Sequence, residues 1–227
     1  MFFPAGNPTE RSASRFRVNN GVMPNSNPIA AWKALTEGNE RFVSGTPQHP
    51  SQGIDRRAEL VNGQYPTTVL FGCGDSRVAA EIIFDQGLGD MFVVRTAGHV
   101  IDSSVLGSIE YAVAILEVPL IVVLGHDSCG AVGATLKALD DGEIPSGFIR
   151  SIVERVAPSI LIGRREGLTT VDELEGAHVV ETGKLLAERS QIIAERIADG
   201  RCAIVGVTYK LNDGHVQLQG HIGDIGA

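Results

Sequence analysis

No apolar run in these 227 residues approaches the ~18 to 20 that a bilayer-spanning helix needs. Cysteine is scarce: three residues, too few and odd in number for a secreted disulfide framework. The thiols are therefore expected to be free in a reducing, cytoplasmic compartment, available to a metal or to catalysis. Positive charge is not in excess either. Lys and Arg number 19 against 27 Asp and Glu, a net charge of −8, which argues against nucleic acid or an anionic membrane surface as a partner. The first residues contain no secretory h-region, and the chain shows no internal repeat, linker or low-complexity segment.

What is present suits a folded domain. Hydrophobic residues make up 43% and charged residues 20%, enough to bury a core and to exclude global disorder. Residues 1–26 read as a disordered tail, and 27–227 as one α/β domain. Asn27 and Pro28 form an N-cap and first-turn pair. Ile29, Trp32, Leu35 and Phe42 follow at helical spacing until Gly45 and Pro47 end the pattern. That helix can pack on its own sheet or embrace a second subunit.

Four runs rich in Val and Ile, at 67–72, 91–94, 119–125 and 202–209, suit strands covered on both faces and hence a parallel sheet. Residues 216–219 alternate beyond the turn signal Asn212-Asp213-Gly214, as an antiparallel edge strand would. The segments 104–116, 129–140, 148–163 and 171–199 carry helical patterns. Asp102 or Ser103 is placed to cap the first, and Pro158 is expected to kink or break the third.

The chemistry-bearing residues lie in two loops at the carboxyl ends of predicted strands, where open α/β sheets bind ligands. One loop is Gly72-Cys73-Gly74-Asp75-Ser76-Arg77; the other is Gly125-His126-Asp127-Ser128-Cys129-Gly130. His126 and Cys129 stand one turn apart, and Cys73 supplies a third ligand if its strand neighbours theirs. Two thiolates and an imidazole are a typical zinc set for a catalytic site, leaving the fourth position to water or to Asp75. Cys202, inside a strand, reads as a small core residue. Each element alone has a plainer reading: a strand-end cysteine in the core, and an Asp–Arg pair as a structural salt bridge.

Together, Cys73-Gly-Asp75-Ser-Arg77-Val and His126-Asp-Ser-Cys129-Gly130 resemble the paired motifs of β-class carbonic anhydrases, over about residues 30–227. The resemblance implies one zinc per chain held by Cys73, His126 and Cys129. It also implies an Asp75 that either closes the site as a metal ligand or turns to Arg77 and leaves it open to water. The activity implied is reversible hydration of carbon dioxide to bicarbonate and a proton, by attack of a metal-activated hydroxide.

Gln64 matches the family's pocket glutamine, which acts across a dimer interface. Phe92, Ala97 and Tyr111 match a narrow apolar pocket, and the Gly130 amide is expected to face a substrate oxygen. The family fold further implies a homodimer or homotetramer with the first helix as a dimerisation element. Two departures stand out. Leu70 takes the place of a Trp that completes an allosteric bicarbonate pocket with residues matching Arg95 and Tyr209. Arg95-Thr-Ala-Gly-His99 replaces the commoner RNxAN form, leaving His99 as a site contact or a loop histidine. Two rival readings remain at this stage: hydrolysis of carbonyl sulfide or carbon disulfide on the same scaffold, and a non-catalytic zinc-dependent sensor.

Overall fold

The computed structural model describes residues 27–227; the expected tail at 1–26 lies outside them. Five strands form one sheet in the order β2-β1-β3-β4-β5. They are β1 (Thr68–Cys73), β2 (Met91–Thr96), β3 (Leu120–His126), β4 (Ala203–Tyr209) and β5 (Val216–Ile222). The first four run parallel, and β5 pairs antiparallel with β4. Every residue of β1, β3 and β4 is buried, which is why their sequences are continuously apolar rather than alternating. β5 is only partly covered and lies at the sheet edge.

Both faces are covered. On one, Leu70, Val122, Leu124, Val205 and Val207 pack with Ala31 and Leu35 of α1 (Pro28–Val43) and Ile83 of α3 (Ala80–Ile83). On the other, Val69, Phe71, Ile121, Val123 and Ile204 meet α4 (Ser103–Ala114), α7 (Val171–Arg189) and α8 (Gln191–Ala198). A third cluster joins Cys73 and Cys129 to Val132 of α5 (Gly130–Asp141), Val156 and Ile160 of α6 (Ile149–Arg165), and Leu174 of α7.

The caps follow the sequence. Asn27 Oδ1 accepts from the Ala30 amide at 2.8 Å, with Pro28 at the first helical position. Asp102 caps α4 through the Val105 amide at 2.9 Å. α1 packs on its own sheet. Asn39 donates to the carbonyls of Ile83 (3.1 Å) and Gly214 (2.8 Å) and accepts from the Val216 amide (3.0 Å).

Three features differ from the sequence reading. α6 runs unbroken through Pro158. Pro158 and Glu154, whose carbonyl loses its amide partner, both lie on the exposed side, where water can satisfy it, while buried Val153, Val156 and Ile160 hold the helix down. The helix read across 171–199 divides at Ser190, which is extended (φ −113°, ψ 107°) and accepts the Ile193 amide at 3.2 Å to cap α8. The short helices α2 (Ile54–Glu59) and α3 carry too few residues for a periodic signal.

Candidate metal centre

β1 and β3 are adjacent and in parallel register, with Gly72 opposite Leu124. Cys73 and His126 therefore emerge side by side at the carboxyl edge of the sheet. Cys129 follows as the N-cap of α5. One ligand atom from each of these three buried residues lies within 4.8 Å of the other two.

The imidazole is set up as a ligand. His126 Nδ1 lies 2.8 Å from the Asp127 carbonyl and must donate to it, so Nε2 carries the lone pair. Nε2 is buried and has no hydrogen-bond partner. An orphaned basic nitrogen beside two thiols costs free energy unless something fills the gap. An ion taking the two sulfurs and this nitrogen would satisfy it, so the residues fit zinc. Without metal, the neighbouring Cys129 thiol draws the Cys73 pKa down against the opposing effect of burial, while Cys129 is pushed up by Cys73 and by burial.

Asp75 stands beside this cluster but faces Arg77. Arg77 Nε and Nη2 reach Asp75 Oδ1 and Oδ2 at 2.9 and 2.7 Å, and the Arg77 amide adds 2.9 Å to Oδ1. These bonds hold the carboxyl far below the ordinary carboxylate range. Oδ2 lies 3.9 Å from His126 Nε2, so the carboxylate borders the centre while committed to the guanidinium, the open arrangement of the two expected.

The surrounding loops are braced from several sides. Arg95 donates to the carbonyls of Cys73 (2.8 Å) and Asp75 (2.6 Å). Asp127 accepts the Leu211 amide at 3.1 Å, and Asp172 the Ser128 amide at 2.8 Å. The Gly98 amide donates to Cys73 Sγ at 3.3 Å. Gly98 sits at φ +63°, and a Cβ there would fall 2.5 Å from Ala131 Cβ, so no other residue fits.

The remaining expected residues divide. Ala97, directly after β2, lies against Gly74 beside the ligands. Gly130 is the exposed first residue of α5. Gln64 is exposed and precedes β1, whereas Cys73 ends it; about 16 Å of strand separates the two ends. Phe92 registers with Val69 at that same far end and pairs with half-exposed Tyr111, ring centroids 6.3 Å apart. Within one chain, Gln64, Phe92 and Tyr111 are thus not gathered at the ligands.

Sequence reasoning missed Glu175 altogether and gave His178 no role. Glu175 is fully buried and accepts the His126 amide at 3.2 Å; burial pushes its carboxyl up to about 8. His178, pushed down to about 4 by burial, lies 2.9 Å from Ser159 Oγ and 3.0 Å from the Gly98 carbonyl. The available signal was a polar pair three residues apart on a helix face otherwise built from Leu174, Val179 and Leu186.

Comparison with known proteins agrees with this geometry. The family model described as carbonic anhydrase matches residues 68–216. A Mycobacterium tuberculosis protein named carbonic anhydrase 2 is 71% identical over 204 residues, covering 90% of this chain and 99% of the relative. A Mycolicibacterium smegmatis carbonic anhydrase is 72% identical over the same shares. Among solved structures, the β-carbonic anhydrase CafA of Aspergillus fumigatus superposes with a TM-score of 0.65 at 26% identity, over 82% of this chain and 89% of the other. A Sordaria macrospora β-carbonic anhydrase described as tetrameric gives 0.65 at 24% identity, over 84% and 98%.

Proposed function

The chain belongs to the β class of the carbonic anhydrase family, and on that premise we propose that it catalyses the reversible hydration of carbon dioxide to bicarbonate and a proton. The observation that carries this reading is the convergence of Cys73, the bare Nε2 of His126 and Cys129 beside an Asp75 that Arg77 holds by both oxygens. Cys73, His126 and Cys129 hold one zinc per chain. When bound, zinc supplies Lewis-acid activation of water for attack on the substrate carbon.

The protein's own groups do the rest. Arg77 keeps Asp75 ionised and fixes its direction, so that the carboxylate accepts a hydrogen bond at the edge of the centre instead of closing it. The Gly130 amide, at the start of α5, offers a donor to a substrate oxygen. Ala97 keeps the wall beside Cys73 small and apolar.

Gln64, Phe92 and Tyr111 lie at the opposite end of their own sheet, and we assign them to a pocket completed by a second subunit. A homo-oligomer, dimer or tetramer, follows from that assignment, with the outer face of α1 available to the contact; the Sordaria relative is described as tetrameric. No helix among the described residues is long and apolar enough to cross a membrane. Three unpaired cysteines support a reducing, cytoplasmic setting.

Stopped-flow hydration of carbon dioxide, run with metal analysis and a parallel carbonyl sulfide assay, tests the proposal. The expected result is zinc-dependent hydration. Hydrolysis of carbonyl sulfide without hydration, or bound zinc with neither activity, would overturn it.

A further inference from the structure

Behind the three ligands lies a buried polar cluster that the reaction itself does not need. Glu175 and His99 are both fully buried. Glu175 Oε2 and both ring nitrogens of His99 have no hydrogen-bond partner. His99 Nδ1 lies 3.7 Å from Glu175 Oε1, and its backbone is held at φ +39°. Its ring stacks on His178 with centroids 4.3 Å apart. Each unsatisfied buried polar atom costs free energy, and such costs gather where a site needs them.

The connections show what the cluster holds. Glu175 and His178 are three residues apart on α7 and share a face. Glu175 Oε1 accepts the backbone N–H of His126 and presses on Gly125, where a Cβ would fall 2.4 Å from that oxygen. Nδ1 of His178 faces a hydroxyl that can donate and Nε2 faces a carbonyl that cannot. The tautomer is therefore fixed: Ser159 donates to Nδ1, and Nε2–H donates to Gly98. Gly98 in turn donates its own N–H to Cys73 Sγ. One helix thus grips the end of β3 that carries His126 and the turn after β2 that carries the Cys73 hydrogen bond. His99 sits between the two grips.

We propose that Glu175 and His178 are positioning residues of the metal centre, with α7 as a common brace that sets the spacing of His126 and Cys73 before metal arrives. Neither touches the ion. The proposal rests on the reading of Cys73, His126 and Cys129 as the zinc ligands. Partners at this remove commonly change metal affinity about 10- to 100-fold.

The test uses the full chain. Glu175→Met keeps side-chain length and removes the acceptor for the His126 amide; Glu175→Gln keeps an acceptor oxygen. His178→Phe keeps a ring against His99 and removes the tie to Gly98. Zinc release to excess chelator, the visible spectrum of the cobalt(II)-substituted protein, and far-UV circular dichroism are measured for each. Glu175→Met is expected to fold and to release zinc about 10- to 100-fold faster than wild type, with shifted cobalt bands, and Glu175→Gln to restore most of the difference. His178→Phe is expected to shift the sulfur-to-cobalt charge-transfer band, because Cys73 loses an oriented donor.

Wild-type release and spectra in a folded Glu175→Met, or in His178→Phe, would overturn the proposal. If Glu175→Met is not recovered folded, His178→Phe decides alone on the same two readouts. A wild-type chain that holds no zinc would overturn the metal-site reading itself, a result distinct from unchanged release in the variants.

Discussion

Arg77 engages both carboxylate oxygens of Asp75, at 2.9 and 2.7 Å, and donates its own amide to one of them. The pair is two residues apart in sequence, so both partners come from the loop after β1, which Arg95 of β2 braces at the Asp75 carbonyl. Its consequence is positional: Oδ2 stands 3.9 Å from His126 Nε2, so a carboxylate released by Arg77 would be free to turn toward the Cys73, His126 and Cys129 cluster.

Arg77→Ala should therefore abolish most hydration activity, with kcat/KM falling on the order of 100-fold or more from loss of orientation, while zinc content stays at wild-type level. Arg77→Lys should recover little, since an ammonium cannot match the two-pronged contact. Stopped-flow kinetics beside metal analysis checks both. Near-wild-type activity in Arg77→Ala would reduce the pair to a structural salt bridge.

The thiols should sort by environment once the metal is stripped. Cys73 is drawn down by the neighbouring Cys129 thiol, whereas Cys202, buried in the sheet, is pushed up to about 12. Thiolate is the reactive form. In the folded metal-free protein, iodoacetamide should modify the Cys73–Cys129 pair first and leave Cys202 untouched until denaturant is added, as peptide mass spectrometry will show. Zinc should protect Cys73, and Cys73→Ser should lose most of its zinc. Early labelling of Cys202, or full zinc retention in Cys73→Ser, would contradict this assignment.

The Cys73, His126 and Cys129 cluster was legible in the sequence for a physical reason. Cys73 and His126 sit at the ends of fully buried strands, and a parallel sheet brings such ends to one edge. The metal-facing loops are local, so spacing alone places Asp75 by Arg77 and His126 by Cys129. Glu175 was not legible, because its partner is a backbone amide 49 residues away and no pattern in sequence encodes a bond to a main-chain group. The break at Ser190 was hidden likewise: apolar positions continue at helical spacing from Leu186 to Ile193, and only the cap reveals the turn. Gln64, Phe92 and Tyr111 were singled out by resemblance, and one chain does not bring them to the ligands.

Gly125 should tolerate no side chain. A Cβ there would meet Glu175 Oε1 at 2.4 Å and Val179 Cγ1 at 2.6 Å, both in the packed interior between β3 and α7. Gly125→Ala should cost about 1 to 3 kcal/mol by overpacking and lower zinc affinity as well, because the displaced group is the one that holds the His126 amide. Chemical denaturation of the metal-free protein gives the first effect, and chelator competition the second. An unchanged midpoint would mean that α7 shifts freely at this point.

Acid stability should depend on Asp85, far from the metal. Its side chain is 1% exposed and lies 2.6 Å from Arg41 Nε, and it also accepts the amides of Gln48 (3.0 Å) and His49 (2.9 Å). Burial opposes ionisation, but the two amides and the guanidinium together outweigh it and hold the carboxyl below its ordinary value. A carboxyl depressed in the folded state stabilises the protein above its unfolded value, about 3.9, and loses that contribution as pH falls through the lower folded value. Asp85→Asn leaves Arg41 without its counter-charge and weakens the two amide contacts, so it should destabilise at pH 7 by about 2 to 4 kcal/mol. The gap between wild type and variant should begin to narrow as pH falls through the unfolded value, about 3.9, and close only below the lower folded value, where wild-type Asp85 also becomes neutral. Urea unfolding of metal-free protein at a series of pH values measures it. A gap that stays constant with pH would show that the variant acts through packing and not through the charge that Arg41 and the loop amides stabilise.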